Sequence, residues 1–142
     1  MTIGHIIANG HQDIVHCSPG TSVREAARLL AERRIGALPV LNGAEVVGIF
    51  SERDLLYCVA RDGEAALERE VGQVMTAPPI TVGPATTALE AASLMTQRRI
   101  RHLPVIEDGR LVAFVSIGDI VKYRLERIEN EAEAMRDYIR TA

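Results

Sequence analysis

The sequence predicts an α/β (α+β) chain made of two related halves. Each half is a small three-stranded mixed sheet with two helices, and a C-terminal helix follows. Three observations predict this. First, Pro19, Thr21, Glu25, Ala26, Ala27, Leu29, Arg33, Arg34, Ile35, Leu38, Pro39, Val40, Val47, Ser51 and Asp54 all recur 65 residues later, with no gap from Val15 to Leu56. Agreement of that extent marks a unit used twice. Second, each half carries capping-box spacing ahead of an apolar stripe of helical period, at Ser22 to Glu25 and Thr87 to Glu90. Third, each half then holds two apolar runs separated by a turn signal, Asn42-Gly43 or Asp108-Gly109.

Each element follows from local chemistry. Residues 2–8 read as a short helix ended by Asn9-Gly10. Ile14-Val15 reads as a short apolar strand and Ser18-Pro19-Gly20-Thr21 as a turn. At Ser22 the hydroxyl can accept from the third amide of the helix while Glu25 reaches back. Val23, Ala26, Ala27, Leu29 and Leu30 then stripe a helix to about Arg34, which Gly36 is expected to break. Residues 38–41 and 46–50 are strands, and Pro39, lacking an amide donor, suggests a sheet edge. A helix opens at Ser51 and continues over 55–60. A polar break at 61–64 and one or two short helical turns in 64–75 lead to Ala77-Pro78-Pro79, where the prolines stop any helix.

The second half repeats the plan. Ile80-Thr81-Val82 matches Val15-His16-Cys17, and Ala91, Ala92, Leu94 and Met95 repeat the apolar face. Arg98 to Val121 runs from a basic helix end through two strands to a helix opened by Ser116 and Asp119. Val121, Leu125, Ile128, Ala132, Met135 and Ile139 then alternate by four and three, a heptad pattern. The divisions are 1–62 (core 15–60), 63–126 (core 76–124) and a helical extension over 127–142. One unit is too small to cover its own sheet, so the two should pack face to face about a pseudo-two-fold axis.

Composition narrows the function classes. The 142 residues are 47% hydrophobic and 25% charged, the balance of a globular protein with a core. A net charge of −3 argues against a general nucleic-acid binder. No run approaches the ~18 apolar residues of a membrane span, and no signal peptide is visible. Cys17 and Cys58 lack paired spacing and read as reduced thiols of a cytoplasmic protein. His5, His11 and His16 match no metal-ligand spacing and read as surface residues. No nucleophile–base pair or Gly-rich phosphate loop appears, so an enzyme is not expected.

The candidate chemistry sits at Ser51 to Asp54 and Ser116 to Asp119. A Ser with an acidic residue three later caps a helix and suits its dipole. The free amides of such a terminus also favour phosphate. Arg33, Arg34, Arg98 and Arg99 fall in last helical turns and read as compensation of the helix dipole.

Arg-Ile-x-x-Leu-Pro-Val, an apolar strand and Ser-x-x-Asp, twice in one chain, resemble a tandem CBS domain protein, a pair often called a Bateman module. The resemblance covers Met1 to about Arg124. It implies a regulatory module that binds AMP, ADP, ATP, NAD or S-adenosylmethionine in two clefts between the motifs. No cofactor is required, and the output acts on an unknown partner in trans. By similarity, Asp54 and Asp119 are the ribose acceptors, with Ser51 and Ser116 beside them. Ile14 and Val15 are implied to frame adenine in the Asp119 cleft; Thr76, Pro79 and Ile80 do so in the Asp54 cleft. Arg101 and His102 are expected to face phosphate near Asp119. Gly36 and Ala37 stand at the equivalent positions, with Arg53 as a candidate substitute, so the clefts should be unequal. The family also implies a homodimer, with the C-terminal helix crossing to its mate or packing on the disc. A dimerisation scaffold with unoccupied clefts and, behind it, a nucleotide-processing enzyme are the alternatives. Neither nucleic acid nor membrane is an expected partner.

Overall fold

The computed structural model describes residues 1–8 and 13–141. In chain order it contains α1 (Ile3–Ile7), α2 (Val23–Arg33), β1 (Ala37–Asn42), β2 (Glu45–Ser51) and α3 (Glu52–Asp62). A 3-10 segment (Gly63–Glu68) and α4 (Val71–Val74) lead to α5 (Ala88–Arg98), β3 (His102–Glu107), β4 (Arg110–Ser116) and α6 (Ile117–Thr141). The expected helix end at Asn9-Gly10 and His11 lie outside the described residues.

Each repeat is an antiparallel hairpin, β1–β2 or β3–β4, with a register shift at Val40/Leu41 and the equivalent Val105/Ile106. The third strand shrinks to one residue. Cys17 bridges Val40 in parallel, and Val82 bridges Val105. That bridge makes each sheet mixed. Residues 13–16 form no strand, although Ile14-Val15 is apolar. Pro39 is therefore not at a bare edge: its carbonyl accepts from the Cys17 amide at 3.2 Å. Its missing donor is tolerated because only Cys17 pairs on that side among the described residues.

The first turn differs from expectation, and the second falls where expected. Asn42 pairs with Glu45, so Gly43 and Ala44 form the first turn, with Gly43 at φ 64. Asp108 and Gly109 form the second at φ 51 and 75, the two positive values a type I′ turn demands. α2 ends at about Arg34, as the apolar stripe predicts, but the break is made by Arg34 itself rather than by Gly36. Arg34 takes the left-handed conformation (φ 53, ψ 48), and the Ile35 amide reaches the Leu30 carbonyl at 3.1 Å. α5 ends the same way at Arg99. The Ser22 box is half formed: its hydroxyl accepts from the Glu25 amide, but the Glu25 carboxylate pairs with Arg28 at 2.9 Å. The Thr87 box is complete.

The packing crosses the repeat boundary. Ile3 of α1 is fully buried in the second core with Val105 and Val115. Ala66 and Val71 are buried in the first core with Val40 and Phe50. The segment ahead of each repeat thus closes the core of the other. Backbone bonds hold the exchange, Ile3 amide to Thr86 carbonyl and Val71 amide to Thr21 carbonyl, both 2.8 Å.

Candidate functional site

The start of α3 and the start of α6 each open on a cleft between the repeats. At α6, Ser116 Oγ accepts from the Asp119 amide at 3.1 Å, and Asp119 Oδ2 accepts from the Ser116 amide at 2.8 Å. This reciprocal pair fixes the carboxylate against the helix end. No bond from another described side chain reaches its Oδ1. At α3 the same box forms between Ser51 and Asp54, at 2.9 and 3.3 Å. Here both carboxylate oxygens are occupied. Oδ2 also accepts from Ser51 Oγ at 3.0 Å, and Oδ1 accepts from Thr76 Oγ1 at 2.8 Å.

The Asp119 cleft encloses about 360 Å³ and the Asp54 cleft about 80 Å³. The first lies within the range of small-molecule sites, and the second is far below it. The Asp119 cleft takes Ile14, Val15, Arg34, Ile35, Gly36 and Ala37 from the first repeat and His102, Phe114, Ser116 and Asp119 from the second. Asp13 lines it as well. The Asp54 cleft takes Ile49, Ser51 and Asp54 with Thr76, Pro78, Pro79, Ile80, Ile100 and Arg101. Residues 13–15 and 78–80 are the same positions of the repeat, exchanged by the pseudo-two-fold.

The structure therefore gathers Ile14, Val15, Ser116 and Asp119 in one cleft, and Ser51, Asp54, Thr76, Pro79 and Ile80 in the other. Two placements need correction. Arg101 lines the Asp54 cleft, not the Asp119 cleft. The residue directly after Arg-Ile faces the cleft whose helix belongs to the other repeat, so Gly36 faces the Asp119 cleft, while Ala37 and His102 border both. Arg101 does border Ser116 and Gly118 in a separate central hollow of about 240 Å³ shared with Gly36, Glu52 and His102. Arg53 faces neither cleft. Its guanidinium donates to the Arg99 carbonyl at 2.7 Å, closing the end of α5.

Sequence reasoning missed Arg34, the cation that does line the Asp119 cleft. Its position at a helix end gave only the dipole explanation, and the left-handed backbone that carries it into the cleft wall was not visible. His102 is shared by both clefts and the central hollow. Its ring stacks on Phe114 with centroids 5.4 Å apart and planes 15° from parallel. Burial, and then the Arg101 guanidinium, push the imidazole below its ordinary value, while Asp119 and Glu52 pull it back up. It is therefore held neutral at pH 7, which removes it as a standing phosphate cation. Among the described residues no group of three His, Cys, Asp or Glu can hold a metal. None of the helices there is long and apolar enough to cross a membrane.

A CBS-domain family model matches residues 4–61 and again 71–126. The mitochondrial CBS domain-containing protein CBSX3 of Arabidopsis thaliana is 36% identical over 128 residues. That alignment covers 87% of this chain and 62% of the relative, and longer relatives are covered to a smaller share. The crystal structure of the CBS-domain protein ATU1752 from Agrobacterium tumefaciens superposes with a TM-score of 0.83 at 38% identity, covering 87% of this chain and 99% of that one. A crystal structure of CBSX2 in complex with AMP superposes at 0.76 with 30% identity, covering 88% and 96%. The doubled hairpin, the doubled Ser-x-x-Asp helix start and these likenesses agree: the chain belongs to the CBS-domain family and carries two CBS domains.

Proposed function

We propose that the chain is a regulatory module that binds one adenosyl nucleotide in the Asp119 cleft and acts, as a homodimer, on a partner protein in trans. The observation that carries the reading is the ~360 Å³ cleft, in which Ser116 fixes a carboxylate whose Oδ1 takes no bond from another described side chain. A fixed acceptor of that kind suits the paired hydroxyls of a ribose. Ile14 and Val15 supply apolar walls for an adenine. Arg34 supplies the charge for a phosphate, since a guanidinium forms strong bonds to phosphate oxygens. AMP ranks first among AMP, ADP, ATP, NAD and S-adenosylmethionine because the superposable CBSX2 structure holds AMP.

Ser51, Asp54, Thr76, Pro79, Ile80 and Arg101 form a second, tighter site in this reading, disfavoured because its carboxylate is already bonded. The module binds without turnover. Buried free thiols at Cys17 and Cys58, with the Cys17 thiol pushed up to about 11 by burial, suit a reducing compartment such as the cytoplasm.

Calorimetry against adenosine, AMP, ATP, NAD and S-adenosylmethionine tests the reading. The expected result is one site per chain for at least one ligand, with a raised melting temperature and unchanged ligand after incubation. Absence of binding at millimolar ligand would leave a dimerisation scaffold.

A further inference from the structure

α6 runs unbroken over 25 residues, about 37 Å at the rise of an α-helix. Ile120 is its last buried residue, and beyond it only Tyr123 and Ala132 are even partly covered. Leu125, Met135 and Ile139 remain 55%, 59% and 66% exposed. These residues form one seam with Val121, Ile128 and Ala132, spaced four and three. In heptad terms Leu125, Ala132 and Ile139 are a positions, and Val121, Ile128 and Met135 are d positions.

We infer that this seam zips to the same seam of a second copy as a parallel two-stranded coiled coil. The flanking charges choose the partner and its direction. The e positions are Lys122, Glu129 and Arg136, and the g positions are Arg124, Glu131 and Tyr138. In a parallel pair each g residue faces the next e residue of the other helix. Arg124 then meets Glu129 of the second copy, and Glu131 meets Arg136, so every charged pair is opposite in sign. In an antiparallel pair centred near Asn130, Lys122 would face Arg136, and Glu129 and Glu131 would each face their own copies. Those contacts are all repulsive. The Arg127–Glu131 pair within the helix is exposed and 3.8 Å long, so it leaves Glu131 available. A membrane surface fits poorly, because acidic and basic residues balance between Lys122 and Arg140 whereas surface-seeking helices are basic on the polar face.

The inference deepens the homodimer part of the proposed function, and its test separates the two. Sedimentation of the full chain at micromolar concentration should show a dimer. Leu125→Glu combined with Ile128→Glu should give a monomer that melts cooperatively and keeps its AMP affinity. Met135→Cys should cross-link to itself under mild oxidation, because equal d positions face each other only in the parallel arrangement. The parent, with its cysteines buried, should not cross-link. Glu129→Arg should weaken the dimer about tenfold, two pairs per dimer changing from attraction to repulsion. Adding Arg124→Glu should restore it. A dimer that persists in the double-Glu variant, or a Met135→Cys dimer that does not cross-link, overturns the zipper while the dimer stands. A monomeric parent overturns both, and nucleotide binding is read separately in every case.

Discussion

Replacing Arg34 with glycine separates two jobs held by one residue. The guanidinium lines the Asp119 cleft, while the backbone caps α2 in the left-handed conformation. Glycine removes the first and improves the second. For an L-residue the left-handed region costs about 1–2 kcal/mol, which glycine does not incur. Against this, glycine loosens the unfolded chain, at a cost of about 0.4–1 kcal/mol. The Arg34 amide, which reaches the Ala31 carbonyl at 3.4 Å, is retained. Net stability should hold or rise by up to about 1.6 kcal/mol, a melting shift of no more than about 6 °C.

Ligand affinity should move the other way. A charge-assisted bond contributes roughly 1.5–3 kcal/mol, so AMP should bind about ten- to a hundredfold more weakly. Adenosine, without phosphate, should bind as it does to the parent. The assay is calorimetry of parent and variant with both ligands at one fixed salt, beside a thermal melt. Equal losses for adenosine and AMP would mean that Arg34 shapes the cleft rather than meeting phosphate. A melting temperature lowered by more than a few degrees would refute the cap argument.

Three further outcomes follow from the same geometry. Asp119→Ala should cost AMP and adenosine alike about ten- to a hundredfold, while Asp54→Ala costs less than about threefold, because that carboxylate is already satisfied by Thr76 and Ser51; calorimetry reads both. His102, held low by burial and Arg101, binds its proton less readily folded than unfolded, so its contribution to stability is complete above about pH 6.5 and is lost below it, as pH falls through the lower folded value. Melting of the parent from pH 8 to pH 5 should therefore drop further than that of His102→Phe, which keeps the stack on Phe114 but cannot titrate. Gly48→Ala would put a Cβ 2.9 Å from the Thr76 carbonyl and 2.5 Å from Met75 Sδ; it should lower stability by about 1–3 kcal/mol, read by denaturant unfolding.

What the sequence revealed depended on how locally each feature is encoded. The capping boxes at Thr87 and Ser51, the positive φ pair at Asp108-Gly109 and the offset of 65 are written in a few neighbouring residues, so the two units and their helices were legible. The exchange of α1 and the 63–74 segment between cores was not. Ile3 and Val71 look like ordinary apolar residues, and only the folded chain shows which sheet each covers. Arg101 failed for a related reason. Its place beside Asp119 was inferred along the chain, but the pseudo-two-fold sends each Arg-Ile segment to the helix of the other repeat. Arg34 escaped because arginine seldom marks a left-handed turn, so nothing local announced that Arg34 itself, rather than Gly36, takes the conformation that ends α2.

The inequality of the clefts has a cause in a few substitutions between equivalent positions. Gly36 borders the large cleft and its counterpart Arg101 borders the small one, while Ala37 and His102 border both. A hydrogen at position 36 leaves space where the guanidinium of Arg101 occupies it. Gly48 extends the difference. Its bare backbone lets the connector close on β2, with the Ile49 amide 3.0 Å from the Thr76 carbonyl, whereas the counterpart in β4 is the buried Ala113. That close approach brings the Thr76 hydroxyl onto Asp54. One repeat has thus spent its carboxylate on holding the two units together, while the other keeps its carboxylate facing open volume. His102 borders both clefts from a single strand end. Any ligand that displaces its ring from Phe114 also moves a wall of the Asp54 cleft. A duplicated unit has in this way come to hold one open cleft and one closed by its own Thr76–Asp54 bond.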